Sequence, residues 1–297
     1  MALKVVYGHT DSIYVTIDSI EKGKEIVSIL NEKMREKFPN VMGLEEHPVT
    51  LEFEKYYKSL GVGATKNRNA GLITWKDGKH LEETEFTMTG FTAKRASETK
   101  LAKEVQINTL KMWVNGRNKK DITTYLNSVY SNVLLGKVEL SSLAKRSRYR
   151  EERFKVKCVN CFRKSSLFDL MIKKCCNRMS IQTLEGKRPS IGSGIEGVIF
   201  YNSTNSIPIT DSYICVKVSY VNDKYMHPIY QVPTEPSYFS ANTIAELNNL
   251  IIKYGSVDYK HYANTVVKKA EPIFNAMGWD SKDITKDKRQ KEIEEWF

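Results

Sequence analysis

The sequence predicts an α+β chain, with an antiparallel sheet carrying one packed helix, followed by a mainly helical region that includes a small β element. Three observations carry this. The stretch Leu3–Ile17 holds two runs rich in β-branched and aromatic residues around a polar turn, Gly8 to Ser12, the pattern of a β-hairpin. A second hairpin is signalled by Asp77-Gly78, set between the strand-like Ala70 to Trp75 and the run from Lys79 onward. Apolar residues recur at helical spacing first at 20–38 and then in four segments beyond residue 97.

In chain order, Ile26, Ile29, Leu30, Met34 and Phe38 give the first helix its apolar side, and Pro39 ends it. A strand is expected over Val49 to Tyr57, where Leu51 and Phe53 alternate with Glu52 and Glu54. The opening hairpin cannot bury both of its faces unaided, so either later strands or a second polypeptide must complete its sheet. Ser97 is the expected N-cap of a helix running to Trp113, with Leu101, Val105 and Leu110 on one side. The helix 121–135 places Tyr125, Val129 and Val133 on a core stripe with no cofactor implied. Strand-like runs at 197–201 and 212–220 form the small β element, and Gly192-Ser193-Gly194 before them lacks the Lys-Ser or Lys-Thr of a P-loop. Pro228, Pro233 and Pro236 mark an irregular connection, after which helices are expected at 244–254 and 259–277, the latter kinked or restarted at Pro272.

The length of 297 residues suffices for two domains, each with its own core. An excess of 46 Lys and Arg over 35 Asp and Glu, a net charge of +11, points to a polyanion such as nucleic acid or, less specifically, an anionic membrane surface. No apolar run reaches the length of a membrane span, and the N-terminus leads directly into a strand instead of a secretory signal, so an intracellular protein is expected. Four of the five cysteines, Cys158, Cys161, Cys175 and Cys176, fall within nineteen residues, which favours a metal site or reduced thiols over disulfides.

Asp11 is the first candidate for chemistry. A carboxylate on a rigid hairpin tip suits a hard divalent cation such as Mg²⁺, and an ordinary turn aspartate fits the same pattern. Lys66 and Arg68 precede a Gly-bounded strand and can reach phosphate or the minor groove, with Asn69 as a further donor; taken in isolation, a solvated basic loop is the plainer reading. Residues 145–164, including Arg146, Arg148 and Arg150 with Tyr149 and Phe154 interleaved, are candidates for salt-dependent contact with a nucleic-acid backbone, or else a solvated helix face. Cys158 and Cys161, with Cys175 and Cys176 thirteen residues further on, offer four sulfurs for a tetrahedral Zn²⁺. Arg178 stands where the usual ribbon has its fourth ligand, and reduced cysteines in a small core are the competing reading.

Tyr7-Gly8-His9-Thr10-Asp11-Ser12 resembles motif C of family B DNA polymerases, the palm hairpin that helps to hold the catalytic metals. Asp11 matches the second, metal-binding aspartate of that motif, Thr10 matches its threonine, and His9 stands where the family has the first aspartate. Glu52 and Glu54 match the strand after motif C, where the family places acidic residues near the metals. Lys66-Asn67-Arg68-Asn69-Ala70-Gly71 is similar to the family's Lys-Lys-Arg-Tyr-Ala-Gly grip on primer-template, with Asn67 and Asn69 as departures. Thr89 to Glu98 resembles the junction from palm to thumb, implying DNA contact by Lys94 and Arg95, and 259–279 resembles the closing thumb helix of archaeal members. At the C-terminus Gln290, Ile293, Trp296 and Phe297 are spaced as in the peptide that docks on PCNA-type sliding clamps. One helical turn would gather the three apolar residues into a plug; a terminal helix folding back is the plain alternative.

The resemblance implies a palm portion at 1–90, a thumb at 91–280 with a Cys-rich, zinc-ribbon-like insert at about 155–180, and a clamp-binding tail at 281–297. Motifs A and B and the exonuclease carboxylates are not found in the sequence. Since two-metal nucleotidyl transfer needs at least two carboxylates near both ions, the implied role is the small subunit of a split DNA polymerase, inactive alone. A larger subunit would carry exonuclease, fingers and motifs A and B, and the complex would use Mg²⁺ on primer-template DNA. The runner-up is a non-catalytic remnant that grips duplex DNA and tethers a clamp, because imidazole at His9 is a poor Mg²⁺ ligand. A zinc-dependent nucleic-acid-binding regulator would rest on residues 145–176 alone.

Overall fold

The computed structural model describes residues 4–9, 11–148, 155–158, 164–166, 198–201, 212–225, 234–235 and 237–286. The chain divides into two compact units. The first comprises Met1–Phe91, Asn108–Ile122 and Glu271–Asp280, and the second Thr92–Ile107, Thr123–Ala270 and Ser281–Phe297.

In the first unit, β1 (Val5–His9) and β2 (Ser12–Val15) form a two-stranded antiparallel sheet. Helix α1 (Ile20–Lys37) follows, its start fixed by Ser19, whose side-chain oxygen accepts from the Lys22 N–H at 3.2 Å. Strands β3 (Lys55–Val62), β4 (Asn69–Lys76) and β5 (Lys79–Thr89) make a three-stranded antiparallel sheet in that order. The β4–β5 turn has the expected chemistry, since Asp77 (φ 48°) and Gly78 (φ 86°) both take positive φ, as a type I′ turn requires. A core lies between α1 and β4, where Ile20 and Ile26 are buried with Ile73 and Trp75, and the Phe53 ring stacks 4.8 Å from Trp75. Gly23 is needed in mid-helix because a Cβ there would lie 2.6 Å from the Phe53 ring.

The strand expected at Val49 to Tyr57 begins only at Lys55, and Leu51–Glu54 lies outside any ladder. The Asn31 side chain takes the place of a neighbouring strand there, donating to the Leu51 carbonyl at 2.9 Å and accepting its N–H at 2.7 Å. The predicted alternation survives without the ladder, with Leu51 and Phe53 half-buried and Glu52 and Glu54 exposed.

The second unit holds more strand than the sequence led us to expect. Helices α2 (Lys100–Val114) and α3 (Lys119–Leu134) belong to it in part, and the short α4 (Leu140–Leu143) leads into β6 (Lys145–Arg148). The cap of α2 is Thr99 instead of Ser97, because its hydroxyl accepts the Ala102 N–H at 3.1 Å. The buried stripe of α3 is Ile122, Leu126 and Val133, with Tyr125 and Val129 half-buried beside it. Strands β7 (Lys155–Cys158), β8 (Lys164–Ser166), β9 (Val198–Tyr201) and β11 (Thr234–Glu235) form one sheet in the order β11-β9-β7-β8. In the other, β10 (Ser212–Val221) pairs with β6, β12 (Tyr238–Ala241) and β13 (Gly255–Val257).

Helix α5 (Ile244–Tyr254) carries a reciprocal capping box of Thr243 and Glu246. Helix α6 (Tyr259–Met277) runs through Pro272 without interruption. The Nζ of Lys269 on α6 donates to Glu98 at 2.7 Å and to Thr92 at 2.6 Å, a mostly buried ion pair that locks the turn ahead of α2. No described helix is long and apolar enough to cross a membrane.

Candidate functional site

The register of the first hairpin, Tyr7↔Tyr14, Gly8↔Ile13 and His9↔Ser12, leaves Asp11 in the turn at its apex. Thr10 lies outside the described residues. The Asp11 side chain is 89% exposed, and its Oδ1 lies 4.0 Å from His9 Nδ1. Aromatic contacts steady the strands beneath, with the Tyr7 and Tyr14 rings 5.2 Å apart and Tyr14 6.0 Å from Tyr57 on β3. Burial pushes the Tyr57 phenol well above its ordinary range, so it stays protonated. The Tyr7 hydroxyl donates to Asn67 Oδ1 at 3.2 Å, which ties the hairpin to the loop between β3 and β4.

Asp11 stands at the edge of a cleft of about 660 Å³, whose lining also includes Glu52 and Glu54. Thus three of the predicted acidic residues share one opening, although Glu54 is engaged by Lys55. Carboxylate oxygens suit a hard divalent cation, whereas the imidazole of His9 adds neither a hard ligand nor negative charge. Among the described residues no three His, Cys, Asp or Glu side chains gather into a metal-holding group. Among the described residues the donors at this cleft fit Mg²⁺ in kind and fall short of a full ligand set in number.

The predicted basic residues occupy separate places. Lys66 is exposed and Arg68 half-buried in the β3–β4 loop, closed by the Gly63 N–H donating to the Arg68 carbonyl at 2.8 Å. Asn67 (φ 62°) lies so close to Gly90 (φ 75°) that a Cβ on Gly90 would sit 1.9 Å from the Asn67 carbonyl oxygen. Asn69, a further donor by sequence, is only 4% exposed and serves the core, so it cannot reach a ligand. Lys94 and Arg95 are exposed in and just after a 3-10 turn at Thr92–Lys94. Arg146 is exposed on β6, Arg148 ends that strand, and Arg150 lies outside the described residues. At Lys145–Arg148 the basic run is a strand paired with β10, not the solvated helix face of the alternative reading, and Lys145 and Lys217 both lie over the Tyr238 ring, at 4.6 and 5.3 Å.

Cys158 ends β7, while Cys161, Cys175 and Cys176 lie outside the described residues, as do Gln290, Ile293, Trp296 and Phe297. Cys215 is buried on β10, and burial pushes its thiol up to about 11, which marks it as inert. Sequence reading missed the Tyr7–Asn67 clasp and the Lys269–Glu98 pair. Their partners lie 60 and 171 residues apart, and no local pattern announces such contacts.

A DNA polymerase of Archaeoglobus fulgidus is 29% identical over 143 residues, which is 48% of this chain and 16% of that protein. The solved family B DNA polymerase of the hyperthermophilic archaeon Pyrobaculum calidifontis aligns at a TM-score of 0.47 and 16% identity, over 92% of this chain and 26% of that one. The chain therefore spans a minor part of the length of these relatives. The sequence model described as DNA polymerase family B matches residues 1–274, and the chain belongs to that family.

Proposed function

We propose that this chain is the small subunit of a split family B DNA-directed DNA polymerase. It supplies the motif C hairpin with Asp11, a duplex-gripping thumb and a sliding-clamp tether to a larger subunit that holds the exonuclease, fingers and motifs A and B. The observation that carries this is the position of Asp11, 89% exposed at a hairpin apex and opening on the cleft that Glu52 and Glu54 share. An aspartate serving only its own turn has no need of that opening, whereas a metal ligand completed from outside does.

In this reading Asp11 offers carboxylate oxygen to Mg²⁺, with Glu52 and Glu54 adding negative potential nearby. Bound Mg²⁺ supplies Lewis-acid activation of the primer hydroxyl and charge neutralisation at the triphosphate. Lys66 and Arg68 contact phosphates just behind the hairpin, and Lys94, Arg95, Arg146, Arg148 and Arg150 extend a salt-dependent hold on duplex DNA. Gln290, Ile293, Trp296 and Phe297 dock on a PCNA-type clamp. Cys158, Cys161, Cys175 and Cys176 hold a structural Zn²⁺, which metal analysis of the purified chain checks directly.

A second reading, a catalytically inactive subunit that binds DNA and a clamp, is favoured by one observation, the imidazole of His9 where a carboxylate is expected. Primer extension separates the two. Mixing the chain with the same-genome polypeptide that bears motifs A and B is expected to give extension that neither gives alone, and no gain on mixing supports the inactive reading. Deleting Trp296 and Phe297 is expected to abolish stimulation by the clamp while leaving clamp-free extension intact.

A further inference from the structure

We infer that Lys145, Lys217 and Tyr238 on one face of the β6–β10–β12 sheet, with His261 and Lys268 of α6 beside them, form a binding site for a dianionic phosphate. The ligand is inorganic phosphate or the terminal phosphate of a nucleic-acid strand. The inference goes beyond the split-polymerase reading and does not depend on Asp11, since all five residues belong to the second unit. Ladder register gathers the first three. Lys145 pairs with Cys215 and Lys217 with Tyr238, and Cys215 and Lys217 stand two residues apart on β10, so these side chains share a face. From two different strands, Lys145 and Lys217 bring their Nζ atoms over the Tyr238 ring, at 4.6 and 5.3 Å. Arg146, proposed above to hold duplex DNA, points to the opposite face of β6. Helix α6 is fastened alongside, because the Tyr262 hydroxyl accepts the Lys217 N–H at 2.8 Å and the Asp258 N–H donates to the Lys217 carbonyl at 2.9 Å. Lys268, seven residues after His261, lies on the same side of that helix.

The charges at this place do not cancel. Lys145, Lys217 and His261 are half-buried and Lys268 is exposed, and among the described residues none of the three lysines forms an ion pair. Burial and the charges of Lys217, Lys268 and Lys145 hold the His261 imidazole below its ordinary range, against the pull of Asp258. That carboxylate already accepts the His261 N–H at 2.8 Å, and against three ammonium groups it leaves two positive charges over. Like charges gathered at a half-buried face repel one another until an anion joins them. Inorganic phosphate and terminal phosphates carry about two negative charges near neutral pH, whereas a backbone diester carries one, so the charge left over selects the former. Lysine ammonium groups from separate elements suit the tetrahedrally placed oxygens of such a group. Elsewhere in the unit Lys253 lies over the Tyr254 ring at 5.0 Å, a pair with no second cation over its ring among the described residues.

Histidine NMR on the full chain tests this, with His261→Gln to assign the resonance. Inorganic phosphate is expected to raise the His261 titration midpoint by about one pH unit, well beyond the effect of sodium chloride at equal ionic strength. Lys145→Met and Lys217→Met keep the packing stem and remove the charge, and each is expected to weaken phosphate binding about tenfold or more, whereas Lys145→Arg and Lys253→Met retain it. Unchanged resonances of the other histidines show that the variants are folded. Two strands of one sequence, with a 5′-phosphate and with a 5′-hydroxyl, identify the source. Binding about tenfold tighter for the phosphorylated strand assigns the site to strand ends, and no difference, with inorganic phosphate still bound, assigns it to the free ion. A midpoint that moves no further with phosphate than with chloride overturns the proposal, as does undiminished phosphate binding in both Met variants.

Discussion

Two hairpins of the first unit are made from the same local ingredients, and among the described residues only one has its apolar face covered. Both join strands rich in β-branched and aromatic residues through a short polar turn. In β4–β5 the face turned to α1 is covered, so that Ile73 and Trp75 are 1% and 3% exposed. In β1–β2 the apolar side chains of Val5 and Ile13 stay 58% and 56% exposed. Turn chemistry and strand propensity make a hairpin, but what lies against its faces decides whether it is stable unaided. The hairpin with Asp11, the proposed metal ligand, at its apex is the less covered one, which fits the proposal of a site shared between polypeptides.

The largest effect that would break this contrast is at Trp75. Trp75→Ala removes the centre of the α1–β4 core and is expected to cost about 3–5 kcal/mol in chemical denaturation of the chain alone. A cost below about 1 kcal/mol would mean that this core does not hold the unit together.

Where the sequence was legible, the physics was local. Asp77-Gly78 specifies its turn by the positive φ values that both residues tolerate, and α1 announces itself by apolar spacing and ends just before Pro39. The apex position of Asp11 followed from the same kind of evidence. Errors arose where a local pattern had a non-local partner. Leu51–Glu54 alternates like a strand, yet Asn31, twenty residues earlier, holds Leu51 by its backbone. At Lys145–Arg148, where a solvated helix face was one of two open readings, the chain is a strand whose ladder partner lies more than sixty residues downstream on β10. The clasp from Tyr7 to Asn67 left no trace in either neighbourhood, since each residue is ordinary where it stands.

A smaller effect sharpens the comparison at the less covered hairpin. Ile13→Ser is expected to shift the stability of the chain alone by less than about 0.5 kcal/mol, as for an exposed surface position. The same variant should weaken association with the larger subunit, where that face becomes covered. A matching loss of stability in the chain alone would show that the hairpin is already complete.

The most direct test of the central claim is primer extension by the reconstituted pair with Asp11→Ala. Removing the carboxylate of the proposed metal ligand is expected to lower the rate by on the order of a hundredfold or more, with duplex binding unchanged. His9→Asp, which restores the second carboxylate of the family's motif, is expected to raise it. Equal extension by the native and Asp11→Ala pairs would contradict the assignment of Asp11 to the metal site.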